Sequence, residues 1–382
     1  MMEYKRLGDY IRAVDVRNRD LKVTNLLGLS MSKSFRPSTS NVVGVDLSKY
    51  KVVHKNVFAF DPMSVIRVHK VPIAINNTDS PIIVSPAYIT FECKNANLLD
   101  PRYLMMWFQR TEFDRYADFK SDAAVRGGYD WSELCETMVY IPDIEKQREI
   151  VAEYEILTNR IRLNEQIIHR LEATAQALYR KMFVENIDKE NLPTGWRIGT
   201  FTEVIDICGG GTPSTDIIEY WEDGNIPFYS PGDKTSFYYS LVTGKHITEK
   251  GLIHCNSKLY PENTTFVTAR GATTGGLTLT GCPMAMNQTC YALVAKDRQN
   301  SFYVHQLALE MMISLKNEAV GATFEALVTK DFENTEIVIA PIKARNAFNK
   351  EAEVLYENML IIQQENTKLT ELQSLLLAKM GK

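Results

Sequence analysis

The residues that could carry chemistry are few. Gly209-Gly210-Gly211-Thr212-Pro213-Ser214-Thr215 has the glycine density of a loop whose backbone amides cradle a phosphate. No Lys-Ser or Lys-Thr follows the glycines, and Pro213 removes an amide from the nest, so the segment reads as a tight turn allowing close backbone approach to a ligand. Ser85-Pro86-Ala87-Tyr88 is one residue away from the Ser-Pro-Pro-Tyr segment with which amino-methyltransferases hold a target amino group. No glycine-rich cofactor loop after a strand accompanies it, and a strand opening at Pro86 is the plainer expectation. Asp79 with Glu92-Cys93-Lys94 has the composition of a metal-dependent nuclease, in which carboxylates hold Mg²⁺ and a lysine orients water. Such triplets arise often by chance. His54, His69, His169, His246, His254 and His305 have no partners at metal or triad spacing, and the six cysteines show no Cys-x-x-Cys pair, so no zinc pattern is present. No catalytic group stands out.

What remains is a candidate recognition surface for phosphate, with Arg, Asn or Gln available to read base edges. Its members are Lys33, Arg36, Lys49, Lys51, Lys55, Arg67 and Lys70 in the first half, and Lys234, Tyr238, Lys245, Lys250 and Arg270 in the second, with Tyr239 and Lys258 beside them. The net charge of −4 argues at first against a nucleic-acid partner, but charge is unevenly placed. Residues 22–70 hold 8 basic against 2 acidic side chains, and residues 224–300 hold 7 against 4. Basic stretches attract phosphate, although a solvated surface has the same composition.

The elements that must position these residues are helical. Residues 142–183 contain no glycine and no proline after Pro142. Ile150, Tyr154, Leu157, Ile161, Asn164, Ile168, Leu171, Ala175, Leu178 and Met182 recur in alternating steps of four and three, which is a coiled-coil seam. A helix of this extent is about 60 Å long at 1.5 Å per residue. Residues 343–380 carry the same ladder 198 positions later, through Phe348, Ala352, Leu355, Met359, Ile362, Asn366, Leu369, Gln373, Leu376 and Met380. Antiparallel pairing in which positions sum to 530 sets Asn164 against Asn366, Ile168 against Ile362 and Ala175 against Leu355. Two copies in one chain have a high effective concentration for each other, which favours this arrangement over a parallel dimer between chains.

The repeat extends beyond the helices. Leu7-Gly8-Asp9-Tyr10 aligns with Ile198-Gly199-Thr200-Phe201, and Pro101-Arg102-Tyr103-Leu104 precedes Ser301-Phe302-Tyr303-Val304 by 200. A short strand closed by proline leads into each helix, at 138–142 and 337–341. The expected fold class is α+β: two tandem domains at 1–141 and 187–340, separated by helices at 142–186 and 341–382 that form an antiparallel coiled coil with pseudo-twofold symmetry. The middle of the first domain, including Val42 to Val45 and Pro86 to Glu92, reads as irregular β structure. Composition is that of a soluble globular protein, 45% apolar and 24% charged. No apolar leader or spanning run is present, so no membrane partner and a cytoplasmic location are expected.

At this point the chain resembles the specificity subunit of a type I restriction-modification enzyme. The resemblance rests on Gly210 to Thr215, Tyr220-Trp221, Gly224-Asn225-Ile226-Pro227-Phe228-Tyr229-Ser230-Pro231-Gly232-Asp233, Ala269-Arg270-Gly271-Ala272-Thr273-Thr274-Gly275, Asn287-Gln288, and the junction Glu145-Lys146-Gln147-Arg148-Glu149-Ile150-Val151. The second half matches well, the first mainly at its ends, and the second helix departs at Ala344-Arg345-Asn346. The resemblance implies a non-catalytic subunit whose two target recognition domains each read half of a split, asymmetric site on double-stranded DNA. It implies helices that set the unread spacer and dock two methyltransferase subunits, and restriction subunits that add motor and nuclease functions. No cofactor is expected on the chain itself, S-adenosylmethionine, ATP and Mg²⁺ belonging to the partners. A stand-alone nuclease or methyltransferase, and a coiled-coil adaptor, are the alternatives.

Overall fold

A computed structural model describes residues 3–38, 44–122, 129–185, 187–234, 238–271, 273–318 and 326–381. The chain divides into two compact units, residues 1–161 with 369–382, and residues 162–368. In chain order the first half forms β1 (Tyr4–Arg6), β2 (Ile11–Val14), β3 (Leu27–Leu29), β4 (Phe35–Pro37), β5 (Lys51–Val53), β6 (Val57–Phe60), α1 (Val65–Val68), β7 (Ile73–Ile75), β8 (Ile82–Val84) and β9 (Ile89–Cys93). Then come α2 (Pro101–Gln109), α3 (Thr111–Asp122), α4 (Trp131–Glu136), β10 (Met138–Tyr140) and the long α5 (Ile144–Phe183).

The second half begins with β11 (Arg197–Thr200), β12 (Ile205–Gly209), β13 (Ile226–Tyr229), β14 (Tyr239–Ser240) and β15 (His246–Ile247). It continues through α6 (Glu249–Ile253), β16 (Thr265–Thr268), β17 (Leu277–Thr280), β18 (Ala285–Met286), β19 (Cys290–Ala295), α7 (Ser301–Glu318), α8 (Thr329–Glu333), β20 (Glu336–Ile339) and α9 (Ile342–Lys379).

The first unit is built on an antiparallel sheet ordered β2-β9-β6-β7. Its core is aromatic: Phe58 stacks on Phe91 at 4.8 Å, and Phe108 meets Phe58 edge-on. α2 buries residues on every side, Tyr103 to Phe108 included, so it is core. Asp143 caps the start of α5 by accepting from the Lys146 amide at 2.9 Å, a usual helix-start device. The same unit holds the end of α9, where Leu377 and Met380 join the core and Gln373 Nε2 donates to Thr158 Oγ1 at 2.7 Å.

The second unit repeats the plan. Its sheet is ordered β12-β19-β16-β17, again antiparallel, and β14 adds to β17 in parallel. In each unit the strand before the long helix pairs with the unit's first strand, β10 with β1 and β20 with β11. Here α5 and α9 run antiparallel, since Asn164 meets Asn366 while, further along α5, Phe183 meets Phe348. None of the seam positions read from the sequence on either helix is exposed. Ile150 packs on the first unit's core, and Ile168, Leu171, Leu355, Met359 and Ile362 on the second's, while Leu157, Ile161 and Leu369 are half-buried.

Two sequence expectations change. Residues 85–88 are a turn, with the Tyr88 amide donating to the Ser85 carbonyl at 3.1 Å, and the strand opens at Ile89 because the proline cannot donate to a ladder. The middle of the first domain is more regular than its punctuation suggested, with β3-β4 and β5-β8 pairs beside the sheet. Val42 and Val43 lie outside the described residues.

Candidate nucleic-acid interface

The positions that looked alike as charges separate once folded. Lys33 stands at a positive φ of 58° in the turn between β3 and β4, which turns its side chain inward. Its ammonium donates to the Phe108 carbonyl and pairs with Asp114 at 2.8 Å, with both side chains nearly buried. Burial pushes the Lys33 pKa down, and Asp114 opposes that shift. Lys33 therefore holds the core together and is withdrawn as a phosphate contact. Lys51 is also turned in, donating to the Tyr88 carbonyl at 2.7 Å, and its pKa is lowered by burial against the pull of Asp15. Tyr238 packs against His305 and Tyr356, accepts from Gln176 Nε2 at 3.3 Å, and is raised in pKa by burial. It too belongs to packing.

The remaining basic residues of the first unit are exposed. Arg36 lies on β4, whose hairpin turn carries the hydroxyls of Ser30, Ser32 and Ser34 bridged at 2.8 to 3.1 Å. Charge counting missed this hydroxyl cluster, although serine at every second position from 30 to 34 was its signal. Lys49 sits 3.6 Å from Asp46, and Lys55 pairs with Asp79 at 2.7 Å. Arg67 and Lys70 flank the end of α1. Exposed pairs of this kind contribute little to stability, so their cations can be exchanged to an incoming phosphate at small cost.

In the second unit the turn from β16 to β17 carries exposed Arg270 at its start, with Gly271 and Gly275 at φ of 103° and 75°. Lys234 is half-buried at the foot of this turn, its ammonium donating to the Leu277 carbonyl at 3.3 Å. Lys245 lies 5.6 Å over the Trp221 ring, whose indole N–H donates to the Ser214 carbonyl at 3.0 Å. Lys250 pairs with Glu219 at 2.8 Å, and the hydrogen bond raises its pKa.

The glycine loop does not cradle an anion. The Gly210 amide donates to the Cys290 carbonyl and the Gly211 amide to the Met286 carbonyl at 3.1 Å, so both donors are used within the chain. A Cβ on Gly210 would stand 2.0 Å from the Asn287 carbonyl oxygen, and one on Gly211 2.6 Å from the Asn256 amide nitrogen. The close approach that these glycines permit is to the chain's own backbone. Beyond them, Thr212 donates to exposed Gln288, which sets a polar pair at the rim.

The other chemical motifs do not converge. Asp79 is held by Lys55, Glu92 by Arg12 at 2.5 Å, and Lys94 donates to the carbonyls of Gly8 and Asp9. Among the described residues no cluster of His, Cys, Asp and Glu could hold a metal, and no helix is long and apolar enough to cross a membrane.

Residues 193–373 match the family described as the type I restriction modification DNA specificity domain. The type I restriction enzyme MjaIX specificity subunit of Methanocaldococcus jannaschii is 30% identical over 39% of this chain and 35% of its own length. The HindI specificity subunit of Haemophilus influenzae is 23% identical over 80% of this chain and 82% of its own. In fold, the chain is similar to the crystal structure of the type I restriction-modification system S subunit from M. genitalium, with a TM-score of 0.57 and 12% identity over 99% of this chain and 95% of that one. The second unit thus carries the type I restriction modification DNA specificity domain, and the chain is similar in sequence to specificity subunits of type I restriction enzymes.

Proposed function

We propose that the chain reads a split, asymmetric site on double-stranded DNA, each recognition domain (1–141 and 187–340) contacting one half. The observation that carries this reading is the repeated sheet order, β2-β9-β6-β7 and β12-β19-β16-β17, each fixed to its own stretch of the paired helices. Two similar readers in one chain suit a target with two short halves. The helices at 142–186 and 341–382 then act as the ruler.

The ruler also offers a docking face for two methyltransferase subunits. In the second unit Leu163, Ile167, Val354 and Ile361 are exposed apolar residues, and in the first Ile156, Leu372 and Leu375. They lie off the seam and would be covered by partner helices. In this reading the methyltransferase subunits bring S-adenosylmethionine, the restriction subunits bring ATP hydrolysis with Mg²⁺, and the assembly works on DNA in the cytoplasm. This chain supplies specificity and no bond-making step.

Salt dependence tests the DNA role. The purified chain with its methyltransferase partner is titrated against duplex DNA between 50 and 300 mM salt, and a log–log slope of about −4 or steeper is expected from several phosphate contacts. A flat response would assign the chain to an adaptor role.

A further inference from the structure

β14 is an edge strand with an unusual closure. It pairs in parallel with β17 through Tyr239 opposite Leu279 and Ser240 opposite Thr280. On that side the Tyr238 carbonyl accepts from the Leu279 amide at 2.7 Å and the Ser240 carbonyl from the Gly281 amide at 2.9 Å. The alternation of a parallel ladder then turns the amide and carbonyl of Tyr239 outward, away from β17. Tyr239 is fully buried, so these two groups need partners inside the protein. Among the described residues the sheet supplies no further strand there.

The partner is one side chain of α9. Gln363 Oε1 accepts from the Tyr239 amide at 3.1 Å, and Gln363 Nε2 donates to the Tyr239 carbonyl. The carboxamide thus occupies the place of one peptide group of a missing strand. Around it, Tyr356, Leu360 and Gln363 form a second buried face of α9, beside the seam that holds Met359, Ile362 and Asn366. Tyr356 stacks on Phe302 at 4.4 Å and accepts from Gln306 Nε2 at 2.7 Å. A helix that covers a sheet edge is an ordinary protection against edge pairing, but it needs no hydrogen bonds of this kind to exclude a strand. In the first unit a buried glutamine also bonds backbone, though at loop residues and not at a sheet edge: Gln147 of α5 accepts from the Asp100 amide at 2.9 Å and donates to the Leu98 and Pro142 carbonyls.

We infer that Gln363 is a positioning residue for recognition: its carboxamide fixes the angle and register at which the second recognition sheet sits on its helix. This inference rests on the specificity reading above, because a register matters only if the sheet presents residues to a target. Packing alone would allow the sheet to slide along Tyr356 and Leu360, whereas a two-point bond to a single backbone residue allows one position only.

The test uses Gln363→Glu and Gln363→Met in the full chain, expressed with its methyltransferase partner. A neutral Glu can donate and accept as the amide does, while an ionised Glu cannot donate to the Tyr239 carbonyl. Other ionisable groups lie near, Tyr356, Glu262 and Glu357 acting on the Tyr239 phenol and buried His305 packing on Tyr356, so each variant is compared with the unaltered chain at each pH. Hydrogen exchange at the Tyr239 amide is expected to rise at least tenfold in Q363M at all pH values; in Q363E, where burial beside the Tyr239 carbonyl favours the neutral carboxyl to higher pH than for an exposed Glu, the rise is expected at pH 8 but not at pH 5. Methylation of the expression host's DNA in Q363M is expected to show mismatches increased about tenfold in one half of the motif, with the other half unchanged. Unaltered exchange in both variants, or Q363E matching Q363M at pH 5, would overturn the inference, as would open exchange with undiminished fidelity. Absence of a split motif in the unaltered complex would instead overturn the specificity reading, leaving the exchange result to decide the role of Gln363 in holding the sheet.

Discussion

Asn164 of α5 and Asn366 of α9 meet side chain to side chain, Asn164 Nδ2 donating to Asn366 Oδ1 at 2.8 Å, with both residues nearly inaccessible to solvent. Asn164 Nδ2 also reaches Glu365 Oε2 at 2.8 Å. A polar pair in an apolar seam typically costs stability and selects one register, because any slip leaves amides buried without partners.

Replacing both by leucine separates the two effects. Asn164→Leu with Asn366→Leu is expected to raise or preserve the urea midpoint while the spacer between methylated half-sites loses its single length. An unchanged spacer and unchanged assembly would remove these residues from the ruler.

Lys33 and Asp114 form a buried pair, so breaking it leaves a charge without a partner. Asp114→Ala is expected to cost about 3–5 kcal/mol in urea unfolding. Lys33→Met leaves the Asp114 carboxylate with the Val71 amide and should cost a similar amount, with the salt slope of DNA binding unchanged. A reduced slope in Lys33→Met would return Lys33 to the interface.

The exposed cations should behave in the opposite way. Arg270→Ala and Lys245→Ala are each expected to lower the salt slope by about 1 where the side chain meets a phosphate, with unfolding shifted by under about 0.5 kcal/mol. Loss of stability without a change in slope would show packing residues.

His305 gives the second unit a pH dependence. The ring is buried, with Nδ1 3.1 Å from Thr265 Oγ1, and burial pushes its pKa down to about 3 from 6.5, with Lys234 adding to the shift. The unfolded chain therefore takes up a proton below about pH 6.5 that the folded chain refuses until about pH 3. Stability falls as pH drops through this window, by up to about 1.4 kcal/mol per unit. His305→Gln should flatten the urea midpoint between pH 6.5 and 4.5, and an equal slope in both proteins would locate the acid sensitivity elsewhere.

Gly210→Ala tests the glycine loop. With the Asn287 carbonyl 2.0 Å from the new Cβ, the loop must shift, and a loss of more than about 2 kcal/mol is expected in urea unfolding. A neutral substitution would reopen the idea that the loop is kept for a ligand.

Much of this architecture was legible from periodicity. The ladder of Ile168, Leu171 and Ala175 against Leu355, Met359 and Ile362 is set by a period that only a paired helix satisfies, and the two asparagines fix its phase. The α9 face of Tyr356, Leu360 and Gln363 was not legible, because one seam absorbs the periodic signal and Gln363 looks like a solvated residue. The interface was read less well for a related reason. Charge is visible in a sequence but burial is not, and Lys33, Lys51 and Tyr238 turn inward through turns and packing that no composition reports.

The most direct measurement is a map of N6-methyladenine across host DNA when the chain is expressed with a methyltransferase subunit. The account predicts a split motif with two short halves, an unread gap of one length, and a change in only one half when residues 1–141 are exchanged for those of a relative. Methylation without a gap, or an exchange that alters both halves together, would contradict it.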